Sequence, residues 1–405
     1  MNRTTRLRTN ALVALVLTVS SGCSPRDAPA PTVSERDSAG VTIYANSQGE
    51  WTEVMAWKLS SEPILTIGAF EGPEEYLLFQ ASGARRLSND NIVITNGGTQ
   101  ELRFYDPNGR HIRSVGGEGD GPGEFRSDEF RPMGPLWPLG SDSIAVWDSG
   151  NQRLIVFDID GGYGRSFRLD PIPGVIALAP RGILDHNSVL VSGLDGIPPA
   201  GRGWFTNSYA RSSLEGAHLT TLVQRPGGES NNNPTGGFGG AVPYGRVATV
   251  TAFGNRWYYG SSDSWEIEVY SPDGALTHLF RRDEPNRPVT QEMMDEYRDP
   301  FSDPRVQATL ALEGRSLPPP DTFSETLPAY RSFIASDDGS LWVENYTHPS
   351  EQPSWAVFRE DGRFLGDVET PIGAQVTHIG DDFVLVIWED ELEVQQVQMY
   401  ELIKP

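Results

Sequence analysis

The chain has 405 residues, with 55 acidic and 32 basic side chains and a formal net charge of −23. A surface this acidic repels nucleic acid and anionic lipid headgroups, so neither is expected as a partner. The 43 glycines and 31 prolines favour a fold with many tight turns.

The first 22 residues have the composition of an export signal. Arg3, Arg6 and Arg8 give a positive start, residues 11–19 form a short apolar run, and residues 20–22 are small. A membrane-spanning helix needs about 20 apolar residues, so this run is too short to be one. The pattern predicts a signal peptide over residues 1–22.

Cys23 is the only cysteine of the chain and stands directly after the predicted signal peptide. The site resembles the lipobox of bacterial lipoproteins, in which this cysteine carries acyl chains. Gly22 fits that pattern, whereas Ser20 stands where the family usually has leucine; an ordinary cleavage site is the alternative. The resemblance implies an exported, membrane-anchored protein of the outer membrane, periplasm or cell surface.

Residues 24–40 consist of proline, alanine, serine and charged residues, with little to bury. Such a composition is typical of a flexible linker. Residues 23–40 are therefore predicted to be a lipidated cysteine followed by a flexible tether.

A repeated phrase organises the rest of the chain: an alternating apolar run, an aromatic residue, a turn ending in glycine and a second apolar run. The glycines of this phrase are Gly109, Gly161, Gly216, Gly274 and Gly362, separated by 52, 55, 58 and 88 residues. A period near 50 residues is that of propeller blades with four strands each. Asn-Gly and Asp-Gly turns after alternating apolar residues are strong hairpin signals.

A second turn precedes each glycine turn, so each period contains two hairpins and four strands. Residues 41–405 are therefore predicted to be an all-β, six-bladed β-propeller, with seven blades as the alternative. The last blade lacks a fourth strand when the chain reaches Pro405. Residues 41–45 are predicted to supply it, while residues 57–67 join the same blade or begin the next one.

Residues 81–125, and above all Gly-Asp-Gly-Pro-Gly-Glu-Phe at 119–125, resemble the bacterial six-bladed β-propeller lipoproteins related to NHL-repeat propellers. The resemblance covers nearly all of residues 40–403. It implies the fold and an extracytoplasmic location. Most members of that family have no established activity, so the resemblance implies no reaction.

Two insertions interrupt the repeats. Residues 225–244 are rich in glycine and asparagine and are predicted to be an unstructured loop. Residues 284–328 are predicted to be a helical insertion, with Thr290 capping one helix and Asp303 followed by Pro304 opening another. The insertion is either a lid or partner surface, or a packing element over an apolar patch.

Five basic residues near the predicted inner turns are candidates for ligand binding: Arg85, Arg86, Arg181, Arg331 and His378. Innermost strands of a propeller converge on its axis, so these side chains could form one funnel that holds a carboxylate or phosphate. The alternative is that each of them pairs with a neighbouring carboxylate between blades.

No catalytic residue, metal site or cofactor is predicted. The sequence has no His-Glu-x-x-His or Gly-x-Ser-x-Gly motif, and His186 and His378 have no visible third metal ligand. The leading hypothesis is therefore a monomeric, membrane-tethered binding or scaffold protein with a protein, peptide or glycan ligand. The alternative is a metal-assisted lyase or hydrolase with its site in the central funnel.

Overall fold

A computed structural model describes residues 32–127, 132–232, 240–312, 322–349 and 351–405. The predicted signal peptide and Cys23 lie outside the described residues. Four short strands precede the repeats: β1 (Val33–Ser38), β2 (Val41–Asn46), β3 (Lys58–Leu59) and β4 (Leu65–Ile67). A 3-10 turn follows at Glu74–Tyr76.

The next strands form three antiparallel sheets in chain order. Sheet 1 comprises β5 (Ala81–Arg86), β6 (Ile92–Asn96), β7 (Glu101–Tyr105) and β8 (His111–Gly116). Sheet 2 comprises β9 (Leu136–Leu139), β10 (Ser143–Asp148), β11 (Arg153–Asp158) and β12 (Tyr163–Arg168). Sheet 3 comprises β13 (Val175–Asp185), β14 (Ser188–Asp195), β15 (Gly201–Ser213), β16 (His218–Asn232) and β17 (Gly240–Ala241).

Three more sheets and two helices complete the described chain. Sheet 4 comprises β18 (Thr249–Phe253), β19 (Arg256–Gly260), β20 (Glu266–Tyr270) and β21 (Leu276–Arg282). The helices α1 (Gln291–Ser302) and α2 (Pro304–Leu312) follow. Sheet 5 comprises β22 (Tyr330–Ala335), β23 (Leu341–Asn345), β24 (Ser354–Phe358) and β25 (Phe364–Glu369), and sheet 6 comprises β26 (Gln375–Ile379), β27 (Phe383–Glu389) and β28 (Gln395–Ile403).

The six sheets of the described chain form a ring. The first strand of each sheet contacts the first strand of the next, and β26 of sheet 6 contacts β5 of sheet 1. The fold is therefore a β-propeller, with the first strands around its axis. We call the end of the axis with the turns between first and second strands the turn face, and the opposite end, with the connections between sheets, the crossover face.

Alternation of side chains explains why each sheet is apolar on both faces. Along β10, Ile144 and Val146 pack in the core shared with sheet 1, whereas Ala145 and Trp147 pack in the core shared with sheet 3. Successive residues of a strand point to opposite faces, so a continuous apolar run fills two cores at once. One such core lies between each pair of neighbouring sheets.

The repeated glycines stand in the turns between the third and fourth strands of sheets 1 to 5. All five have positive φ, for example +76° at Gly109 and +95° at Gly362. Only glycine adopts this conformation without a Cβ penalty. In sheet 1 the turn is also held by Asp106, whose Oδ1 accepts hydrogen bonds from the N–H groups of Asn108 and Arg110, both at 2.9 Å.

The prediction for ring closure was right about an N-terminal strand and wrong about which one. Strand β28 of sheet 6 pairs with β3 through Leu402 and Leu59, and with β4 through Val397 and Ile67. Strand β2, which contains the predicted closing residues 41–45, pairs in parallel with β21 at the outer edge of sheet 4. Its Tyr44 packs in the core between sheets 4 and 5, a fit that the apolar alternation of β2 does not specify.

The predicted tether is wrong for its last eight residues. Strands β1 and β2 form an antiparallel hairpin whose two-residue turn has φ of +56° at Ala39 and +84° at Gly40. Positive φ at both turn positions is the geometry of the commonest two-residue hairpins. The composition of β1 is polar because it is an outer strand whose side chains are almost all exposed.

The two insertions differ in how far they match their predictions. Residues 225–232, predicted to be unstructured, belong to β16 and pair with β15. Helix α1 begins after Thr290, whose Oγ1 accepts a hydrogen bond from Met293 N–H at 3.2 Å, and ends at Ser302. Asp303 caps α2 by accepting a hydrogen bond from Arg305 N–H at 2.7 Å.

Candidate ligand-binding site

A cavity of about 730 Å³ lies on the axis towards the turn face, and we call it the axial chamber. Every sheet of the described ring contributes to its wall, through Arg85, Trp137, Ile183, Phe253, Phe333 and Thr377 in the order of sheets 1 to 6. These residues come from the first strands, which converge on the axis. The volume is within the range of about 300–1,000 Å³ that is typical of sites for small organic molecules.

The walls of the axial chamber combine apolar and polar surface. Its partly exposed aromatic residues are Trp137 and Phe253, whereas Phe333 is packed in the core between sheets 4 and 5. Its ionisable lining residues are Arg85, Asp185 and His186. Asp185 is already engaged, because it pairs with Arg211 and accepts a hydrogen bond from the backbone N–H of Asn187. Arg85 is therefore the charged group with capacity for a ligand.

Arg85 is held in place by one carboxylate of sheet 5. Its Nη2 donates to Oδ1 of Asp337 at 2.9 Å, and its side chain is 18% exposed. A guanidinium has five N–H donors, so this bond leaves donors for a ligand. Burial lowers the pKa of Arg85 from its ordinary value, and Asp337 opposes that shift.

His378 binds the other oxygen of the same carboxylate. Its Nε2 lies 2.9 Å from Oδ2 of Asp337, and its Nδ1 accepts the backbone N–H of Arg86 at 3.2 Å. A backbone N–H can donate only to an unprotonated nitrogen, so the ring is neutral with its proton on Nε2. Burial lowers the pKa of His378, and its hydrogen bond with Asp337 opposes that shift.

Asp337 is the residue that joins this cluster. Burial raises the pKa of its carboxyl, but the hydrogen bonds and charges of His378 and Arg85 outweigh that effect, so its pKa lies below the ordinary value. The carboxylate therefore stays ionised between sheets 1, 5 and 6. Sequence analysis missed Asp337, although an acidic residue in the first turn of sheet 5 was a signal.

Arg86 belongs to a neighbouring surface. Its guanidinium pairs with Asp90 at 2.7 Å and Asp382 at 3.8 Å, and lies over the ring of Phe383 at 5.0 Å. It lines a second cavity, of about 500 Å³, together with Asp90 and Asp382. For Arg85, Arg86 and His378, pairing with neighbouring carboxylates is the arrangement that the structure shows.

The structure does not bring the five predicted residues into one funnel. Arg85, Arg86 and His378 stand at or next to the ends of first strands, near the turn face. Arg331 is the second residue of β22, where it lies 4.4 Å over the ring of Tyr346 and donates to Thr347 O. Arg181, in the middle of β13, lines a separate cleft between sheets 3 and 4. The position of each residue along its strand, which the sequence left open, separates them.

Over the described residues, no group of three or more histidine, cysteine, aspartate or glutamate side chains is placed to hold a metal ion. In the same part of the chain, no helix combines the length and apolar character needed to cross a membrane.

The ring of sheets defines the class of this molecule as a β-propeller. No family model matches the sequence, and no curated protein matches it. An exported protein of Bacteroides fragilis is similar over 90% of this chain and 99% of its own, with 12% identity and a TM-score of 0.48. A DUF4221 family member from Bacteroides vulgatus is similar over 87% and 99%, with 11% identity and a TM-score of 0.48.

An inactive variant of virginiamycin B lyase from Staphylococcus aureus, solved with quinupristin, is similar over 80% of each chain. Its identity to this chain is 12% and the TM-score is 0.37. At these identities, all three similarities concern the fold alone.

Proposed function

We propose that this protein is an extracytoplasmic binding module whose ligand occupies the axial chamber. The observation that carries the proposal is a cavity of about 730 Å³ to which the first strand of every sheet in the described ring contributes. A cavity of this size, whose lining combines apolar side chains with a few ionisable groups, has the character of a site for a small organic molecule.

The chemistry of the chamber defines the class of ligand. Trp137 and Phe253 offer apolar and aromatic surface, and Arg85 offers N–H donors that match the two oxygens of a carboxylate. The ligand is therefore an amphipathic organic acid with an aromatic or apolar body. Among the expected ligand classes, the carboxyl end of an apolar peptide meets this description better than an uncharged glycan, because only the carboxylate can pair with Arg85.

Calorimetric titration with naphthalene-2-carboxylate tests this proposal. Arg85→Met is expected to weaken binding by about 10- to 100-fold, because hydrogen bonds to charged groups contribute about 1.5–3 kcal/mol. The neutral analogue 2-naphthalenemethanol is expected to bind wild type and R85M alike. Ala335→Trp, which adds an indole to the chamber wall, is expected to weaken both compounds.

Arg86→Met is the matched control, because the same change occurs one residue away and outside the axial chamber. It should leave both affinities unchanged, and thermal melting should show that all variants remain folded. Equal affinity of wild type and R85M for the carboxylate would place its binding site elsewhere and refute the assignment.

We further propose that the module is attached to a membrane through acylated Cys23 after removal of residues 1–22. The support is the signal-like N-terminus and the position of this single cysteine. In the native host, metabolic labelling with an alkyne-bearing fatty acid is expected to mark the wild type and not Cys23→Ala. Equal labelling of the two proteins would contradict lipidation at this residue.

The alternative of a metal-assisted lyase or hydrolase receives no specific support from the site. His378, one of the two histidines considered for metal, uses both ring nitrogens in hydrogen bonds to Asp337 and Arg86.

A further inference from the structure

Arg181 occupies an irregular position in the innermost strand of sheet 3. In the pairing of β13 with β14, Pro180 faces Val191 and Gly182 faces Leu190, so Arg181 is the extra residue of a β-bulge. Bulges interrupt the regular alternation of side chains and redirect the residue they contain. Sequence reasoning could not give the direction of this side chain, because the bulge is not visible in the apolar pattern.

A second irregularity lies four residues earlier in the same strand. The register between β13 and β14 also shifts between Ile176 and Ala179, and Ala177 has a left-handed φ of +53°. A residue other than glycine in this region costs free energy and persists when its surroundings fix it. Ala177 and Arg181 both line the cleft between sheets 3 and 4, so the strain and the bulge occur at the same place.

The cleft has a volume of about 450 Å³ and mixed walls. Phe205 and Val250 are apolar residues of its lining. The Nε of Arg181 donates to Ser192 Oγ at 2.7 Å, which fixes the plane of the guanidinium. With Nε engaged, the two terminal nitrogens, Nη1 and Nη2, remain as a parallel pair of donors.

The charge of Arg181 has no counterion in the part of the chain that the structure describes. Neighbouring arginines of sheet 3 and of the β17–β18 connection all have a carboxylate within 4 Å: Arg211 has Asp185, Arg225 has Glu268, and Arg246 has Glu229 and Asp263. No described carboxylate lies that close to Arg181. Its side chain is exposed to solvent, and the protein around the cleft lowers its pKa from the ordinary value by desolvation.

No described carboxylate lies beside Arg181, so an anionic ligand would gain the attraction of this guanidinium without displacing a protein partner. An oxyanion with two coplanar oxygens matches the free pair of guanidinium donors.

We propose that the cleft between sheets 3 and 4 is a second ligand site, in which Nη1 and Nη2 of Arg181 bind an oxyanion, a carboxylate or a phosphate. This site is separate from the axial chamber, and the two share no lining residue. Its small volume selects compact anions.

The test uses benzoate and inorganic phosphate as probes, titrated calorimetrically at constant ionic strength against chloride. All proteins carry Arg85→Met, so that the axial chamber does not contribute to anion binding. R85M is compared with R85M/R181Q and with R85M/R331Q. The last is the matched control, because Arg331 also lies at a register shift of a first strand but has Tyr346 and Thr347 O as partners.

We expect R85M and R85M/R331Q to bind at least one probe equally, and R85M/R181Q to bind it at least tenfold more weakly. Binding of benzoate alone identifies the ligand as a carboxylate, and binding of phosphate alone identifies it as a phosphate. If R85M binds neither probe, or R181Q has no effect, or R331Q weakens binding as much as R181Q, the proposal is wrong.

Arg181→Lys keeps the charge and loses the paired donors. In the R85M background, this variant is expected to have an affinity between those of R85M and R85M/R181Q. It serves as the test variant if R85M/R181Q unfolds. Failure here would leave the axial proposal standing, because naphthalene-2-carboxylate binding depends on Arg85 and not on Arg181.

Discussion

The carboxylate of Asp337 binds two basic side chains, those of Arg85 and His378. One oxygen accepts from Arg85, and the other binds His378, whose remaining nitrogen accepts a backbone N–H of sheet 1. Protonating His378 would break the bond to Arg86 N–H and place a second positive charge beside Arg85 and Arg86. The direct bond from sheet 6 to the backbone of sheet 1 therefore forms only while the imidazole is neutral.

This arrangement predicts that stability falls on acidification. The pKa of His378 is lowered in the folded protein from an ordinary value of 6.5, so below about pH 6.5 the unfolded chain binds more protons than the folded one. The free energy of unfolding then decreases as pH falls, with a limiting slope of about 1.4 kcal/mol per pH unit for this group. Above pH 6.5 the contribution is complete. Urea unfolding at pH 8.0 and 5.5 measures it.

His378→Asn is expected to unfold with a smaller difference between the two pH values than the wild type. The comparison isolates His378 from His278, whose pKa burial also lowers. His218→Asn, at a partly exposed site of sheet 3, is the control and should retain the wild-type difference. An undiminished pH difference in H378N would show that another group is responsible.

At the scale of single elements, the sequence predicts the positions of turns better than it predicts which strands pair with each other. The repeated glycines identify the hairpins because a turn with positive φ restricts residue type, a local requirement that is visible in any copy. Strand β2 has the alternation of a strand, but nothing in it distinguishes the edge of sheet 4 from that of sheet 6. The choice depends on contacts of Tyr44 and Asn46 with residues of sheets 4 and 5, far away in sequence.

The candidate site shows the same limit. Arginine and histidine can be recognised as candidates by residue type. The structure has Arg85 in the lining of the axial chamber. The direction of the Arg181 side chain was not predictable, because the bulge that redirects it arises from the pairing of β13 with β14. The aromatic residues of the axial chamber, such as Trp137 and Phe253, look like ordinary strand residues until the ring brings them together.

Two N-terminal deletions separate the roles of the N-terminal elements. Removing residues 1–47 deletes the β1–β2 hairpin and is expected to cost a few kcal/mol, since burying an apolar side chain such as Ile43 contributes about 1.5–3 kcal/mol. Removing residues 1–67 also deletes β3 and β4 and leaves the edge of β28 unpaired. That chain is expected to lose cooperative unfolding and to self-associate.

Thermal unfolding and size-exclusion chromatography of the two deletions test this expectation. The shorter deletion is the matched control, because it removes a hairpin and leaves ring closure intact. A monomeric, cooperatively unfolding protein without residues 1–67 would mean that closure by β3 and β4 is dispensable.

At the scale of the whole molecule, the apolar core of the described ring is divided into six clusters, one between each pair of neighbouring sheets, and has no single centre. Each sheet is buried on both faces by its two neighbours, and the axis holds a chamber and not a packed core. Stability and ligand binding thus use different surfaces of the same strands. The faces of the sheets hold the ring together, while residues of the innermost strands are left for recognition.

The closure of sheet 6 also sets an order of events in time. Glu401 N–H donates to Ser60 Oγ across 341 positions of sequence, in the sheet where β28 meets β3 and β4. This contact cannot form until almost the entire chain has been made, and contacts this distant in sequence are slow to form. Strands β3 and β4 are among the first to be synthesised, and they therefore stay unpaired until β28 has been made. Throughout that interval the outer edge of β28, or the segment that covers it, is open to pairing with another molecule, so folding of this ring is most vulnerable to aggregation in its last step.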